Sequence, residues 1–273
     1  MTADGFPRTV TIYGTGLIGT SFGLALKKRI PGIRIYGVDS PEILARAQGL
    51  GAIDDGKERA PDFPDLVVLA TPIGTILELL GELPGGSSLI LDVGSTKVTI
   101  CRKAAGRGLP FVGGHPMTGS ERSGPEAASG DLFEKATFFL CPVSSAPDSV
   151  ISQATQVVET IGADPVVISA EEHDRVVAQL SHLPQVLSTL LADQTTEHRR
   201  LAGPGWKSFT RLAASPFHVW KDILQTSGSL PLELRLFTDR LCAVLDALER
   251  GRMNEVEEMF ERANQAVAEE GRE

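Results

Sequence analysis

A glycine-rich turn between a short strand and a helix constrains the fold of this chain more than any other feature. The β-branched run at residues 8–13 leads directly into Gly14-Thr15-Gly16-Leu17-Ile18-Gly19, and residues 21–29 have the apolar spacing of a helix that packs on a sheet. A second strand pattern follows at residues 33–38 and ends at Asp39. This order of strand, glycine turn, helix and strand predicts a parallel β–α–β unit.

The glycine spacing within that turn predicts that it binds a dinucleotide. Gly14 permits the tight turn, Gly16 lets the backbone approach a pyrophosphate at the helix N-terminus, and Gly19 allows the helix to pack closely on the strand. The predicted cofactor-binding residues of the turn are Gly14, Gly16, Leu17, Ile18 and Gly19.

The acidic residue that ends the second strand predicts which dinucleotide binds. Asp39 would accept hydrogen bonds from the ribose hydroxyls, and its carboxylate would repel a 2′-phosphate. The following Ser40-Pro41 supplies no cation to offset that repulsion. We therefore expect NAD, with NADP less favoured.

Strand and helix patterns continue to alternate as far as residue 168. Strands are predicted at residues 65–70, 88–92, 109–112, 136–141 and 165–168, and helices at 41–50, 73–83, 99–106 and 148–161. This alternation predicts an α/β domain with a Rossmann-type, doubly wound parallel sheet over residues 1–168. No strand pattern follows, so residues 169–273 are predicted to form an all-α domain.

The carboxyl ends of the predicted parallel strands should bring several polar residues to one edge of the sheet. Thr71 and Pro72 end one strand and are predicted to line the cofactor site. His115 lies just after another, between glycine-rich turns, and a neutral imidazole there could act as a general base. The alternative is a loop histidine that only caps a turn.

Ser95 and Lys97 follow the strand that neighbours His115 in the predicted sheet. Ser95 could bond a substrate hydroxyl or the His115 ring, or it could cap the helix that follows. Lys97 could simply be a solvated residue at the helix start.

A long helix is predicted at residues 171–194, and a proline lies inside it. Pro184 would remove a hydrogen bond and kink the helix. Ser181 and Gln185 are four residues apart and share a face, which together with the kink indicates a shaped cavity. His182 is expected either to line that cavity or to be a core histidine whose ring nitrogens are bonded.

Two cations on the next helical segment are candidates for binding an anionic substrate. Lys207 and Arg211 are four residues apart, with aromatic neighbours, and an arginine suits a bidentate carboxylate pair. A solvated basic face is the alternative.

Further along the chain, an apolar stripe predicts a helix that is buried against another helix, either within the chain or across a dimer. The stripe consists of Leu234, Phe237, Leu241, Val244 and Leu248.

Composition excludes several classes of function. The net charge of −9 argues against nucleic acid as a main partner, and no apolar run approaches the roughly 18 residues of a membrane span. The three cysteines show no metal-ligand spacing, so no metal site is predicted. The first residues are not those of a signal peptide, and we expect a cytoplasmic protein.

Four segments together resemble the prephenate/arogenate dehydrogenase family of tyrosine biosynthesis. They are the glycine turn with Asp39, DVGSTK at residues 92–97, GHPMTGSE at 114–121, and SHLP at 181–184 followed by FTR at 209–211. The resemblance implies oxidative decarboxylation of prephenate to 4-hydroxyphenylpyruvate, or of arogenate to tyrosine. It also implies a homodimer formed through the helical domain.

The resemblance also assigns roles to individual residues. His115 matches the catalytic histidine that bonds the ring 4-hydroxyl, and Ser95 matches the serine that assists it. Arg211 matches the arginine that binds the substrate carboxylate, while Lys207 and Trp220 match supporting residues of the pocket.

We also expect neither a fused chorismate mutase nor a C-terminal regulatory domain.

One departure from the family pattern concerns the substrate. Many prephenate-preferring members read SHLPH, whereas this chain has Gln185 in place of the second histidine. Prephenate remains the expected substrate, with arogenate, or both compounds, as the alternative. Ser181 and Gln185 are carried forward as predicted substrate-binding residues.

Two rival functions share the architecture. A β-hydroxyacid or 6-phosphogluconate-type dehydrogenase would typically use a lysine on the long helix, and residues 171–194 contain no lysine. A nicotinamide-sensing protein without catalysis would bind NAD and turn over neither substrate. The presence of His115, Ser95 and Arg211 favours the enzyme.

Overall fold

The structure, a computed structural model, describes residues 6–56, 64–86, 88–119 and 122–270. Within them the strands are β1 Thr9–Tyr13, β2 Arg34–Val38, β3 Asp55–Gly56, β4 Leu66–Leu69, β5 Leu89–Asp92, β6 Phe111–Pro116, β7 Thr137–Pro142 and β8 Asp164–Val167. They form one sheet in the order β3-β2-β1-β4-β5-β6-β7-β8. The two-residue strand β3 was not predicted, because a run that short has no readable periodicity.

The sheet is parallel except at one pair of strands. β6 and β7 run antiparallel, with His115 opposite Phe139, while the other neighbouring pairs are parallel. A parallel partner for β6 would need a crossover, usually a full helix. In the described part of the intervening segment only the 3-10 turn Pro125–Ala127 is helical, so β7 returns alongside β6 in the opposite direction.

Helices cover both faces of the sheet. The helices of the described residues are α1 Leu17–Arg29, α2 Pro41–Gly49, α3 Ile73–Glu82, α4 Val98–Gly106, α5 Asp148–Thr160, α6 Ala170–Val177, α7 Leu183–Gln194, α8 Pro204–Phe209, α9 Phe217–Thr226, α10 Leu230–Glu249 and α11 Met253–Glu270. Side chains of α1, α2 and α5 form one core cluster, and those of α3, α4, α6 and α9 form the other. Every residue of β4 and β5 is buried, which is typical of strands covered on both faces.

The predicted fold class is therefore confirmed: a doubly wound α/β sheet is followed by helices. No strand follows Val167 in the part of the chain that the structure describes. The chain divides into one compact unit that ends at Gly228 and a second that begins at Ser229 and contains the packed pair α10 and α11. The boundary at residues 168/169, drawn from the change in sequence pattern, stays a prediction.

The expected kink in the long helix takes a specific form. Between α6 and α7, residues Ala178–His182 form a π-helical turn. Pro184 lacks an N–H, and its ring would clash with the carbonyl four residues earlier, at Leu180, in a regular α-helix. The wider turn accommodates the proline and places Ser181 and His182 on an irregular stretch of backbone.

No helix among the described residues is long and apolar enough to cross a membrane. The same residues contain no group of three or more His, Cys, Asp or Glu side chains that could hold a metal ion.

Candidate active site

The glycine turn has the geometry that its sequence predicts. Gly14 adopts a φ of +86°, and a Cβ atom there would lie 2.4 Å from the carbonyl oxygen of Ala70. A Cβ at Gly19 would lie 1.9 Å from the carbonyl oxygen of Gly14. Gly16 differs, because nothing lies within 4 Å of the corresponding position. The N-terminus of α1 is therefore open to a phosphate at Gly16 and closely packed at the other two glycines.

Asp39 is fixed against the same turn. Its carboxylate accepts hydrogen bonds from the backbone N–H of Thr15 at 2.8 Å and of Ser40 at 2.7 Å. A cavity of about 1000 Å³ begins here and is lined in part by Gly14, Gly16 and Asp39. The cavity has room for the adenosine end of a dinucleotide beside a carboxylate that suits ribose hydroxyls.

The other predicted cofactor residues lie around this cavity. Thr71 and Pro72 line it directly, whereas Leu17 and Ile18 are half-buried residues in the first turn of α1. The Thr71 hydroxyl oxygen is buried and has no hydrogen-bond partner among the described residues. An unpaired buried hydroxyl beside the glycine turn is consistent with a site for a polar ligand.

His115, near the end of β6, is joined to α6 by a chain of hydrogen bonds. Its Nδ1 lies 2.9 Å from Nε2 of His173, and Nδ1 of His173 lies 2.8 Å from Oδ1 of Asp174. The Asp174 carboxylate also accepts the backbone N–H of Lys97 at 2.6 Å and of Val98 at 3.0 Å. Asp174 therefore caps the first turn of α4 while it orients His173.

These contacts assign the proton positions. A carboxylate only accepts hydrogen bonds, so His173 must donate from Nδ1 to Asp174. In a neutral ring this leaves a lone pair on His173 Nε2, which accepts the N–H of His115 Nδ1. The remaining nitrogen, Nε2 of His115, then carries a lone pair and can accept a proton from a ligand.

The surroundings keep the three histidines of this region neutral. Burial, reinforced by the positive charge of Lys97 and the neighbouring histidines, holds the pKa of His115 well below its usual value. Burial also lowers the pKa of His173, although the bond to Asp174 opposes that shift, and it lowers the pKa of His182 to about 4. His115 is thus a neutral acceptor at physiological pH.

A buried ion pair holds the backbone on which His115 lies. Lys97 is completely buried, and its Nζ donates to Asp92 Oδ2 and, at 2.7 Å, to the carbonyl oxygen of Gly114. Asp92 in turn accepts the N–H of Gly114 at 3.0 Å and of Gly94 at 2.8 Å. The interpretation of Lys97 as a solvated residue is therefore wrong, because its ammonium group joins the ends of β5 and β6.

Ser95 is half-buried between these groups and the start of α4. It does not cap that helix: Lys97 occupies the N-cap position, and the carboxylate of Asp174 accepts the first N–H groups. Ser95 forms no hydrogen bond with His115 or with any other described residue, and Nδ1 of His115 is bonded to His173 instead. Its assistance to His115 stays a prediction.

His182 has the environment of a core histidine. Its Nδ1 lies 2.8 Å from the Ser227 hydroxyl, and its ring packs edge-on against Trp220 with centroids 5.9 Å apart. The indole N–H of Trp220 donates to the hydroxyl of Ser215 at 3.0 Å. Trp220 therefore connects the end of the π-helical turn to the segment just after Arg211.

The predicted substrate-binding residues fall into two groups. Ser181 is half-buried in the π-helical turn, and Gln185 is buried, with its amide donating to the carbonyl oxygen of Leu212 at 3.0 Å. Lys207 at the end of α8 and Arg211 in the 3-10 turn Thr210–Ala214 are both exposed. In the described part of the chain, neither cation forms an ion pair.

Sequence reasoning missed the residues that orient His115. His173 and Asp174 fall at the start of the helix predicted over residues 171–194 without any predicted role, yet both are buried. A usable signal was present, because His173 and Asp174 share the buried face of α6 with Ala170 and Val177 at spacings of three and four. Ser120 and Glu121, from the GHPMTGSE segment, lie outside the described residues.

Comparison with known proteins gives one consistent result. The family model for the prephenate dehydrogenase nucleotide-binding domain matches residues 22–167, and the model for the prephenate dehydrogenase dimerization domain matches residues 169–262. Prephenate dehydrogenase of Bacillus subtilis (strain 168) is 39% identical over 238 residues, which cover 79% of this chain and 63% of that protein.

Two further relatives agree with this result. Prephenate dehydrogenase of Lactococcus lactis subsp. cremoris (strain MG1363) is 34% identical over 83% of this chain and 67% of that protein. The crystal structure of the A. aeolicus prephenate dehydrogenase, in complex with hydroxyphenyl propionate and NAD+, has a TM-score of 0.89 and 28% identity over 96% of this chain and 98% of that one.

This chain thus spans about two thirds of the length of the Bacillus and Lactococcus relatives and nearly all of the A. aeolicus chain. The resemblance inferred from four short motifs is confirmed by matches across both halves of the sequence. The chain belongs to the prephenate dehydrogenase family.

Proposed function

We propose that this protein is a prephenate dehydrogenase, which oxidises and decarboxylates prephenate to 4-hydroxyphenylpyruvate for tyrosine biosynthesis. The observation that carries the proposal is a neutral His115 whose Nε2 is left free to accept a proton, at the carboxyl edge of a sheet with a dinucleotide-binding turn. Membership of the prephenate dehydrogenase family supports it.

NAD is the proposed cofactor, and the residues present fit it. The open position at Gly16 suits the pyrophosphate, and Asp39 suits the ribose hydroxyls while disfavouring the 2′-phosphate of NADP. Thr71 and Pro72 would line the adenosine end of the site. When bound, NAD supplies the acceptor for the hydride that leaves the substrate ring.

The proposed task of His115 is to manage the proton of the ring 4-hydroxyl. Nε2 accepts that proton as the carbonyl forms, and His173 holds the ring so that Nδ1 stays protonated. When the ring carboxylate leaves as CO2, its bonding electrons make the ring aromatic and return charge to the oxygen. That oxygen takes the proton back from His115. Ser95 is proposed to bond the same hydroxyl.

Arg211 is proposed to bind a substrate carboxylate, with Lys207 adding positive charge nearby. Both are exposed and free of ion pairs to the described residues, so their charge is available to an anion. Trp220 and Ser181 are proposed to line the pocket between these cations and His115. Gln185 stays a predicted substrate-binding residue, and its hydrogen bond to the carbonyl oxygen of Leu212 is the basis of the further proposal below.

We further propose a cytoplasmic homodimer formed through the helical part of the chain. Along α10, Phe237, Leu241 and Leu248 have exposed fractions of 36%, 58% and 52% in the single chain. Apolar side chains at this spacing are usually covered by another helix. The family model over residues 169–262 is described as a dimerization domain.

Light scattering tests the proposed dimer. The measured mass should be twice that of one chain, and Leu241→Asp should lower the measured mass towards that of one chain.

The test is NADH formation by the purified protein with prephenate, with arogenate, and with NADP in place of NAD. Turnover of prephenate with NAD supports the proposal. Turnover of arogenate alone would keep the mechanism and change the substrate. No turnover of either compound would overturn the enzymatic role and favour a nicotinamide-sensing protein.

A further inference from the structure

We propose that Gln185 and Ser188 are positioning residues for Arg211, which act by holding one peptide unit of the turn that carries it. The inference rests on the proposed function, because it takes Arg211 as the group that binds the substrate carboxylate. It gives position 185 a role in orienting that arginine rather than in touching the substrate side chain.

The two side chains hold the same peptide unit at both of its polar ends. The amide of Gln185 donates to the carbonyl oxygen of Leu212 at 3.0 Å, and the hydroxyl of Ser188 accepts the N–H of Ala213 at 3.1 Å. That carbonyl and that N–H belong to the peptide bond between residues 212 and 213, which is planar. Fixing both ends fixes the orientation of this peptide plane, which begins one residue after Arg211.

Burial makes these bonds effective. Gln185 and Ser188 are 7% and 1% exposed, so water does not compete strongly for their polar atoms. They lie three residues apart on one face of α7. Thr210 is also buried, and its hydroxyl donates to the carbonyl oxygen of Trp206 at 2.8 Å, which ties the start of the turn to α8. The turn is held on both sides of Arg211, whose side chain projects from it exposed.

The type of residue at position 185 matters for this arrangement. The Gln185 amide nitrogen donates to Leu212 and lies 3.3 Å from the hydroxyl oxygen of Thr189, so both of its N–H bonds have an acceptor. A neutral histidine offers a single N–H on a rigid ring and cannot make both contacts. The departure from the SHLPH pattern therefore changes how the turn is held.

The test is a set of double-mutant cycles with the full-length enzyme, NAD, and whichever of prephenate or arogenate it turns over. Gln185→Met keeps the side-chain volume and removes the hydrogen bonds, and Ser188→Ala removes the acceptor for Ala213. We expect each change to raise KM about 3- to 10-fold, the range for one neutral hydrogen bond, with kcat within about twofold. In an Arg211→Ala background, neither change should raise KM further.

Gln194→Met is the matched control. It makes the same change of side chain as Gln185→Met at an exposed position at the end of α7, and it should leave KM unchanged because Gln194 forms no side-chain hydrogen bond with the turn in the described part of the chain. If Gln185→Met alters kcat or the preference between prephenate and arogenate while Ser188→Ala is silent, Gln185 touches the substrate and the inference is wrong. If both KM effects persist without Arg211, or if Arg211→Ala leaves KM unchanged, the two residues do not act through Arg211.

A second measurement does not depend on turnover. Amide hydrogen exchange in the peptide that covers residues 206–216 should speed up in Gln185→Met and Ser188→Ala and remain at the wild-type rate in Gln194→Met. Unchanged exchange in the first two variants would show that they do not hold the turn. Absence of turnover in the wild-type protein would overturn the proposed function instead, so the two failures are distinguishable.

Discussion

The two sides of the candidate active site are built in opposite ways. On the proposed proton-accepting side, a half-buried His115 is bonded through the buried His173 to the buried Asp174, beside the buried ion pair of Lys97 and Asp92. The proposed anion-binding side consists of exposed cations on short helical segments, held to α7 by a few hydrogen bonds.

With the roles proposed above, proton transfer and substrate binding have separate structural supports. Groups whose protonation state must be fixed are placed where burial sets their pKa and rigid neighbours set their tautomer. Groups that recognise an anion remain exposed and on turns, where a change of one neighbour alters affinity without disturbing the core. Variants on the buried side should therefore change kcat, and variants on the exposed side should change KM.

The largest expected effect comes from removing the proton acceptor. His115→Asn should lower kcat by about 10²- to 10⁴-fold, the usual contribution of a general base, because an amide nitrogen cannot accept the hydroxyl proton. Steady-state kinetics with saturating NAD will measure it, and the KM for NAD should stay close to that of the wild type. An unchanged kcat would remove His115 from the chemistry.

Removing the exposed arginine tests the other side of the comparison. Arg211→Ala should raise the substrate KM by about 10- to 100-fold, as expected when a charged hydrogen-bond donor is lost, while kcat changes much less. Lys207→Ala provides a measure of charge alone, and its effect should be smaller because it lacks the bidentate geometry. A fall in kcat equal to the fall in kcat/KM would mean that Arg211 acts in the transition state and that the two sides are not separate.

The tautomer assignment predicts a contrast between two substitutions of one residue. His173→Leu removes the acceptor for the His115 N–H and should lower kcat by about 10- to 100-fold, the range for one buried hydrogen bond to a reacting group. His173→Gln offers a carbonyl oxygen to that N–H and should retain most of the activity. Equal losses in both variants, with unfolding midpoints matched to the wild type, would show that His173 only fills space.

The sequence was most informative where local geometry has few solutions. The glycine turn was predictable because a tight turn at Gly14 and close packing at Gly19 exclude other residues, and the doubly wound sheet was predictable from the alternation of strand and helix patterns. His115 was expected just after a strand, between glycine-rich turns; instead β6 continues through it to Pro116, and only its place at the edge where parallel strands end was predicted correctly. These predictions depend on neighbours in the chain or on a regular topology.

The partners of His115 were not predictable in the same way, because they depend on contacts between distant segments. His173 is 58 residues from His115, and Lys97 lies 77 residues before Asp174, which accepts its backbone N–H. Lys97 looked like a solvated residue because a lysine is seldom fully buried without a partner, and Asp92 becomes that partner only in the folded sheet edge. The antiparallel direction of β7 was missed for a related reason, since strand patterns carry no direction.

The smallest predicted effect concerns pH. Burial and nearby positive charge hold the pKa of His115 well below 6.5. We therefore expect kcat/KM to fall by less than about twofold between pH 7.5 and 6. A base with an ordinary histidine pKa would lose about three quarters of its activity over the same range.

Stability sets the control for this measurement. The unfolded chain binds more protons than the folded one below pH 6.5, since its histidines titrate normally, so the free energy of unfolding falls as pH falls. Circular dichroism at each pH will show that the enzyme is still folded. An acid limb centred near pH 6.5 in folded enzyme would mean that His115 is solvated during catalysis, and the contrast between a buried and an exposed side of the site would then fail.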